Sequence, residues 1–323
     1  MASRHGPSPA PWWRAVRILA SAVMLALLLP RMHLDALLPP GRHGDTVTYL
    51  LLALLTTFGG IVLSAWRWQR VLAVFDAPAR LPHLVSHYLA GQFVGNFLPS
   101  TIGGDVLRVS RLTNSSTVPG TSVFASVVIE RLTGWIVLPL LTLAGLMLRP
   151  SLLKLGVASQ LALALSIGTL LLLVAIVAVA GSRRMAGRFA KNEGWTRFIG
   201  AVHLGIDSLR RRPQAAVGIV AVATVYQLSP VLVAWFATRA LGLQLPMVAL
   251  LAFTPVVAIA QVLPLSLNGL GLREGALVLF LGPLGVSAGQ AVAVGLIIYA
   301  ATLAVSLLGA PAFAVGSRRA VSV

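Results

Sequence analysis

Cysteine does not occur anywhere in the chain. Its absence removes disulfide bridges, thiolate metal ligands and a cysteine nucleophile together. Charge is also scarce: Asp, Glu, Lys and Arg make up 10% of the 323 residues, and Asp plus Glu number only 8. A soluble domain carries about a quarter charged residues, so this chain lacks the polar surface such a domain needs. Apolar residues fill the gap, at 57% of the sequence and a mean hydropathy of +0.89. They run in blocks of roughly 18 to 28, enough for a helix rising 1.5 Å per residue to cross a hydrocarbon core about 30 Å thick. A membrane barrel would instead show period-two alternation in segments of about ten residues. Leu161 to Ala180 is apolar on every face. The chain reads as an all-α polytopic membrane protein.

The formal charge of +17 raises the question of nucleic acid. The arginines, however, sit in short segments flanking the apolar blocks, where positive-inside topology explains them, and no nucleic-acid partner is expected. At the N-terminus, Arg14 and Arg17 precede the apolar run Ile18 to Leu29, and Pro30, Arg31 and Met32 follow where a signal peptide would have small residues. This is read as a retained span. Six full transmembrane helices are expected, at 16–37, 47–66, 121–148, 155–180, 213–238 and 286–314. His83 to Phe97 and Met247 to Val262 are too short to span comfortably, and each runs into a Pro/Gly-rich polar motif. Such interrupted segments are candidate re-entrant hairpins.

Charge parity supports that reading. With the N-terminus inside and both short stretches re-entrant, Arg67, Arg70, Arg80, Arg108 and Arg111, the basic stretch Arg183 to Arg212, and Arg318 and Arg319 all fall inside. Only Arg31, Arg42, Arg149, Lys154 and Arg239 fall outside. A full crossing by just one stretch would collapse the bias. The two motifs also align with each other: Leu98-Pro99, Gly104 and Arg108 match Leu263-Pro264, Gly269 and Arg273, both reading L-P-x4-G-x3-R. Two spans, a re-entrant segment and a third span then make each half, in opposite orientations. The expected organisation is a tail over 1–15, a first repeat over 16–148 with its re-entrant motif at 83–111, a second over 149–315 with its motif at 247–283, and a tail over 316–323. In an inverted-topology repeat of this kind, the substrate site lies near the midplane where broken helices meet.

Three acidic residues fall in apolar or motif segments: Asp105, Glu130 and Glu274. An ionised side chain there costs about 2.5 to 3.5 kcal/mol unless paired or wet. Arg108 lies three residues past Asp105, Arg131 adjoins Glu130, and Arg273 adjoins Glu274. Adjacent helical residues do not face each other, so Glu130 and Arg131 are expected to find partners elsewhere. In the structural reading these ion pairs only lock the broken segments. In the functional one, Arg108 and Arg273 grip a phosphate with two parallel hydrogen bonds each, and backbone N–H groups freed at the helix breaks assist. Gly103, Gly104, Gly269 and Gly271 permit the turns, and Asn96, Ser100, Thr101, Ser266 and Asn268 satisfy groups left open around Pro99 and Pro264. Gly91 and Gly95 have the G-x-x-x-G spacing of close helix contact. Gly269-Leu-Gly271 lacks the βαβ setting of a dinucleotide site. His83 and His87 lack the further ligand a metal needs. The basic segment Arg183 to Arg212, with Trp195, Phe198 and Ile199, is expected to be a surface loop near anionic headgroups.

Asn96 to Arg108, then Glu130-Arg-Leu-Thr-Gly134, then Leu263-Pro264 through Arg273-Glu274 together resemble the lysylphosphatidylglycerol synthase transmembrane region, also called the flippase-like membrane family. The resemblance spans roughly residues 15 to 315. It implies movement of a lipid between leaflets. The soluble aminoacyl transferase that follows the membrane region in two-domain members is not expected here, so synthase activity is not carried over. Relatives tied to lipid-dependent glycosylation suggest an alternative, a membrane enzyme or accessory subunit acting on a lipid-linked substrate, although no Asp-x-Asp motif occurs. The expectation is a translocase of an anionic or phosphate-bearing lipid, with no catalytic motif, cofactor or metal, in a cell inner or plasma membrane with both termini cytoplasmic. A homo-oligomer or a lipid-biosynthesis enzyme is the expected protein partner. The expected site is where Asp105 to Arg108 and Arg273 to Glu274 approach each other, with Glu130 as a third wall.

Overall fold

A computed structural model describes residues 43–97, 102–115, 118–181, 193–262 and 269–319. The expected first span at 16–37 and the motif centres, including Pro99, Ser100, Thr101, Pro264, Ser266 and Asn268, lie outside them. Every regular element described is a helix. Helices α1 (His43–Val74), α2 (Leu81–Phe97), α3 (Ile102–Ser115), α4 (Gly120–Leu148), α5 (Val157–Gly181), α6 (Glu193–Arg211), α7 (Pro213–Ala240), α8 (Met247–Ala260), α9 (Leu272–Leu281), α10 (Ala288–Leu307) and α11 (Gly309–Arg319) follow in order. Five of them, α1, α4, α5, α7 and α10, are long and apolar enough to cross a membrane. The chain is a multi-pass membrane protein.

These five cover the expected spans after the first, with two corrections. The span expected at 47–66 continues as helix to Val74, which moves Arg67 and Arg70 from a loop into α1. The span expected at 286–314 ends at Leu307, and a separate helix starts at Gly309, where a Cβ would sit 2.1 Å from the Leu89 carbonyl oxygen. That close approach seats α11 against α2. A third correction concerns the basic segment 183–212. Over Glu193–Arg211 it is an amphipathic helix, with Ile199, Ala201 and Val202 buried and Arg197, Arg210 and Arg211 on other faces. Its spacing of apolar residues suits a helix lying on a packed surface.

Helix α4 is the central column. In its most apolar stretch, half the residues are buried, against 17% for α1 and α5. Its N-terminal half packs with the ends of α1, α5 and α6, and its C-terminal half with α8 and the start of α5. On the outer helices, Leu55, Leu171 and Val174 are more than 60% exposed. In water that would be a liability, but for a helix facing lipid tails it is the favourable state. Helices α1 and α7 lie side by side, and the short helices α2–α3 and α8–α9 complete the bundle.

Each short apolar stretch is followed by a second short helix, α3 after α2 and α9 after α8. In the first, α2 and α3 touch backbone to backbone: a Cβ on Gly104 would meet the Gly91 carbonyl oxygen at 2.5 Å. Gly91 therefore makes the close contact its spacing predicts, whereas a Cβ on Gly95 would meet nothing within 4 Å. In the second, Gly269 and Gly271 take φ values of +78° and +81°. Only glycine adopts such values without strain, and they turn the chain directly into α9.

Candidate functional site

The charged residues of the first motif converge with residues of α1, α2 and α4 around a cavity of about 320 Å³. Glu130, 1% exposed, is its anchor. Its Oε1 accepts from Arg67 Nη2 at 2.8 Å and from the Tyr88 hydroxyl, and its Oε2 accepts from Arg108 Nη1 at 3.1 Å. Arg108 also donates through Nη2 to Asp105 Oδ1 at 2.5 Å. Asp105 Oδ2 accepts from Arg131 Nε, closing a chain Arg67–Glu130–Arg108–Asp105–Arg131. The expectation that Glu130 and Arg131 find separate partners is met: one faces Arg67 and Arg108, the other Asp105.

Aromatic rings hold the cations in place. The Arg108 guanidinium lies 4.0 Å from the Tyr88 ring centre and 4.9 Å from that of Trp68, and Arg67 lies 4.7 Å from that of Tyr226. Trp68 is fixed in turn by its indole N–H, which donates to Ser126 Oγ at 3.0 Å. Such faces stabilise cations by roughly 0.5 to 2 kcal/mol, most when desolvated. They also occupy the space that water would fill.

Arg67 and Tyr88 are the members that sequence reading missed. Arg67 was read as an inside-loop charge because the expected span ended at residue 66, but helical spacing puts it on the turn after Ser64, which lines the same cavity. It is 4% exposed, yet its Nε and Nη1 atoms are buried without a hydrogen-bond partner. Leaving buried donors unmet costs about 1 to 3 kcal/mol or more when charged. Arg108, by contrast, is bound by two carboxylates and enclosed by two rings. The cavity presents three guanidinium groups, Arg67, Arg108 and Arg131, against two carboxylates, Asp105 and Glu130. Arg131, whose side chain is 40% exposed, stands at the edge.

The remaining candidates divide. Gly104 lines the cavity, as does Asn96, whose amide donates to Ser306 Oγ on α10 at 2.7 Å. Gly103 lies in the first turn of α3. The second motif forms a different structure. Arg273 Nη2 and Nε both donate to Glu274 Oε1, at 2.6 and 3.0 Å, and Glu274 Oε2 accepts from Gly271 N at 2.7 Å. Neighbours in sequence meet here because both sit in the first helical turn, where the long arginine side chain folds back. Glu274 is fully buried and lines neither cavity. Arg273 lines a second cavity of about 230 Å³, which shares Gln92, Pro230 and Ala258 with the first. No group of three His, Cys, Asp or Glu residues suited to a metal occurs among the described residues.

A family model described as the lysylphosphatidylglycerol synthase TM region matches residues 14–309. No curated protein matches the chain.

Proposed function

The chain belongs to the lysylphosphatidylglycerol synthase TM region family, and from that premise we propose that it is a translocase moving an anionic, phosphate-bearing lipid between leaflets. One observation carries this reading: a cavity among membrane helices is lined by one guanidinium more than carboxylates, and two nitrogens of one of them, Arg67, are buried without a hydrogen-bond partner. In a partly buried setting, an anion 4 Å from an unmatched cation gains about 4 kcal/mol. About 320 Å³ is at the small end of ligand pockets, room for a headgroup but not for two acyl chains. The tails would stay in the bilayer while the head crosses. The phosphate contacts are assigned to Arg67 and Arg131, with Arg108 positioning the carboxylates, in place of the Arg108 clamp that the motif suggested. An enzymatic role for Asp105 or Glu130 is less well supported, because guanidinium groups hold both carboxylates and leave neither as an open base.

The two hairpins are taken as counterparts in an inverted repeat, in a cell inner or plasma membrane with both termini cytoplasmic. Reporter fusions after Asp76 and after Arg149 are expected to report opposite sides, and matching signals would refute that topology. Transport is tested with purified protein in liposomes carrying tail-labelled lipids, by chemical quenching of the outer leaflet. Protein-dependent movement of an anionic phospholipid, slowed at least tenfold by Arg67→Gln, is expected. Lipids left unmoved by folded protein would end the proposal.

A further inference from the structure

A cavity of about 710 Å³ opens between α3, the first turns of α4 and the amphipathic helix α6. It has more than twice the volume of the charged cavity and shares no lining residue with it. Its floor is Gly120, Thr121 and Phe124, where α4 begins, and its walls include Val109 of α3 and Gly200 and Leu204 of α6. Helix α6 also reaches the end of α5, where His203 Nδ1 lies 2.9 Å from the Ala180 carbonyl oxygen. The groove thus sits at the edge of the membrane layer, where an amphipathic helix lies across the ends of the spans.

Two glycines of α6 act in opposite ways. A Cβ on Gly205 would lie 2.2 Å from the Ile129 side chain, so its absence seats α6 on α4. A Cβ on Gly200 would meet nothing within 4 Å. No protein contact calls for glycine there, although only proline is a poorer helix former. What Gly200 does is leave the groove open. The rim is polar. Asp207 is met by His203 Nε2 at 3.3 Å, whereas the exposed Arg197 makes no hydrogen bond or ion pair among the described residues. One unmatched positive charge therefore stands at the rim of a largely apolar slot, with Arg210 and Arg211 in the last turn of the same helix.

We infer that this groove is a second, separate lipid site, which holds an anionic phospholipid of the adjoining leaflet as a fixed part of the fold. One acyl chain lies against Phe124 and Leu204, and the phosphate meets Arg197. Volume and lining match those of ligand pockets, which are mostly apolar with a few polar groups to orient the guest. A soluble anion makes no use of the apolar slot, and a neutral apolar molecule leaves Arg197 unmet. A phospholipid satisfies both, since its head and chains join at the level where the groove lies, and a basic side chain there favours anionic lipids. The bound lipid fills the space between α6 and α3, tying the amphipathic helix to the hairpin that carries Asp105 and Arg108. This site does not depend on transport through the charged cavity.

The test places the full chain in phosphatidylcholine nanodiscs with a trace of phosphatidylglycerol or phosphatidylcholine bearing a photoactivatable acyl chain, and maps the labelled peptides by mass spectrometry. The anionic probe is expected to mark the peptides holding Phe124 and Leu204 about fivefold more than the choline probe, the increment of one arginine at a lipid surface. Leu171, on the outer face of α5, should take both probes equally. Arg197→Gln, at an exposed position that leaves packing intact, should remove the preference. Gly200→Leu places its side chain in open space, so its unfolding midpoint should be no lower than wild type. It should cut labelling of Phe124 roughly tenfold, the equivalent of about two methylene groups kept out of the groove. Water-soluble glycerol phosphate should not compete. Equal labelling of the wild type by the two probes would overturn the inference, as would undiminished labelling of Gly200→Leu. Displacement of the probe by glycerol phosphate would overturn it too, because the site would then be one for a free anion.

Discussion

In the first hairpin, Arg108 is shared between Asp105 and Glu130, which in turn hold Arg131 and Arg67. In the second, Arg273 turns back on Glu274, and the pair is closed. Both follow the same L-P-x4-G-x3-R string. The difference lies in what packs against each hairpin. Helices α1 and α4 bring Arg67 and Glu130 to the first, whereas the second meets α10 with Tyr299, whose ring centre lies 5.2 Å from the Arg273 guanidinium. A motif fixes where an arginine sits; the neighbouring helices decide whether its charge is shared, silenced or left over.

Charge removal separates the two most strongly. Glu130→Gln leaves Arg67 and Arg108 buried with their common partner discharged, and should cost about 3 to 5 kcal/mol. Glu274→Gln strands one guanidinium and keeps an acceptor for Gly271 N, at about 1 to 3 kcal/mol. Thermal unfolding in one detergent ranks the pair, and equal losses would erase the contrast. Backbone contact gives a smaller difference. Gly104→Ala forces a Cβ against the Gly91 carbonyl and should cost about 1 to 3 kcal/mol. Gly275→Ala, with nothing within 4 Å of its Cβ, should be neutral or stabilise α9 by up to about 1 kcal/mol. The smallest effect is expected at Arg273→Lys, which keeps one bond to Glu274 and should change stability by about 1 kcal/mol or less. Arg108→Lys has no fork to bridge two carboxylates and should exceed it in the same assay.

Helix positions were legible because blocks of apolar residues in a chain with only 10% charged residues have few other uses, and the two broken segments because Pro and Gly interrupt them. The acidic members of the site were legible for the same reason, as carboxylates in apolar context. Arg67 was not, since the apolar block before it ends at Trp66 and gives no sign that α1 continues to Val74. Tyr88 resembled any core aromatic. The pairing of Asp105 with Arg131 spans 26 residues and depends on how α3 meets α4. Segment 193–211 was expected to be a loop as part of the basic stretch 183–212, whose arginines cluster at its two ends, while its helical face shows only when Ile199 and Val202 are seen packed among α4 neighbours.

In the proposed translocase, Arg67 is the residue assigned to meet the lipid phosphate. Electron cryomicroscopy of the protein in nanodiscs of an anionic phospholipid tests this directly. The predicted result is headgroup density with its phosphate about 3 Å from Arg67 Nε and Nη1. Lipid density elsewhere, with only water against Arg67, would contradict it.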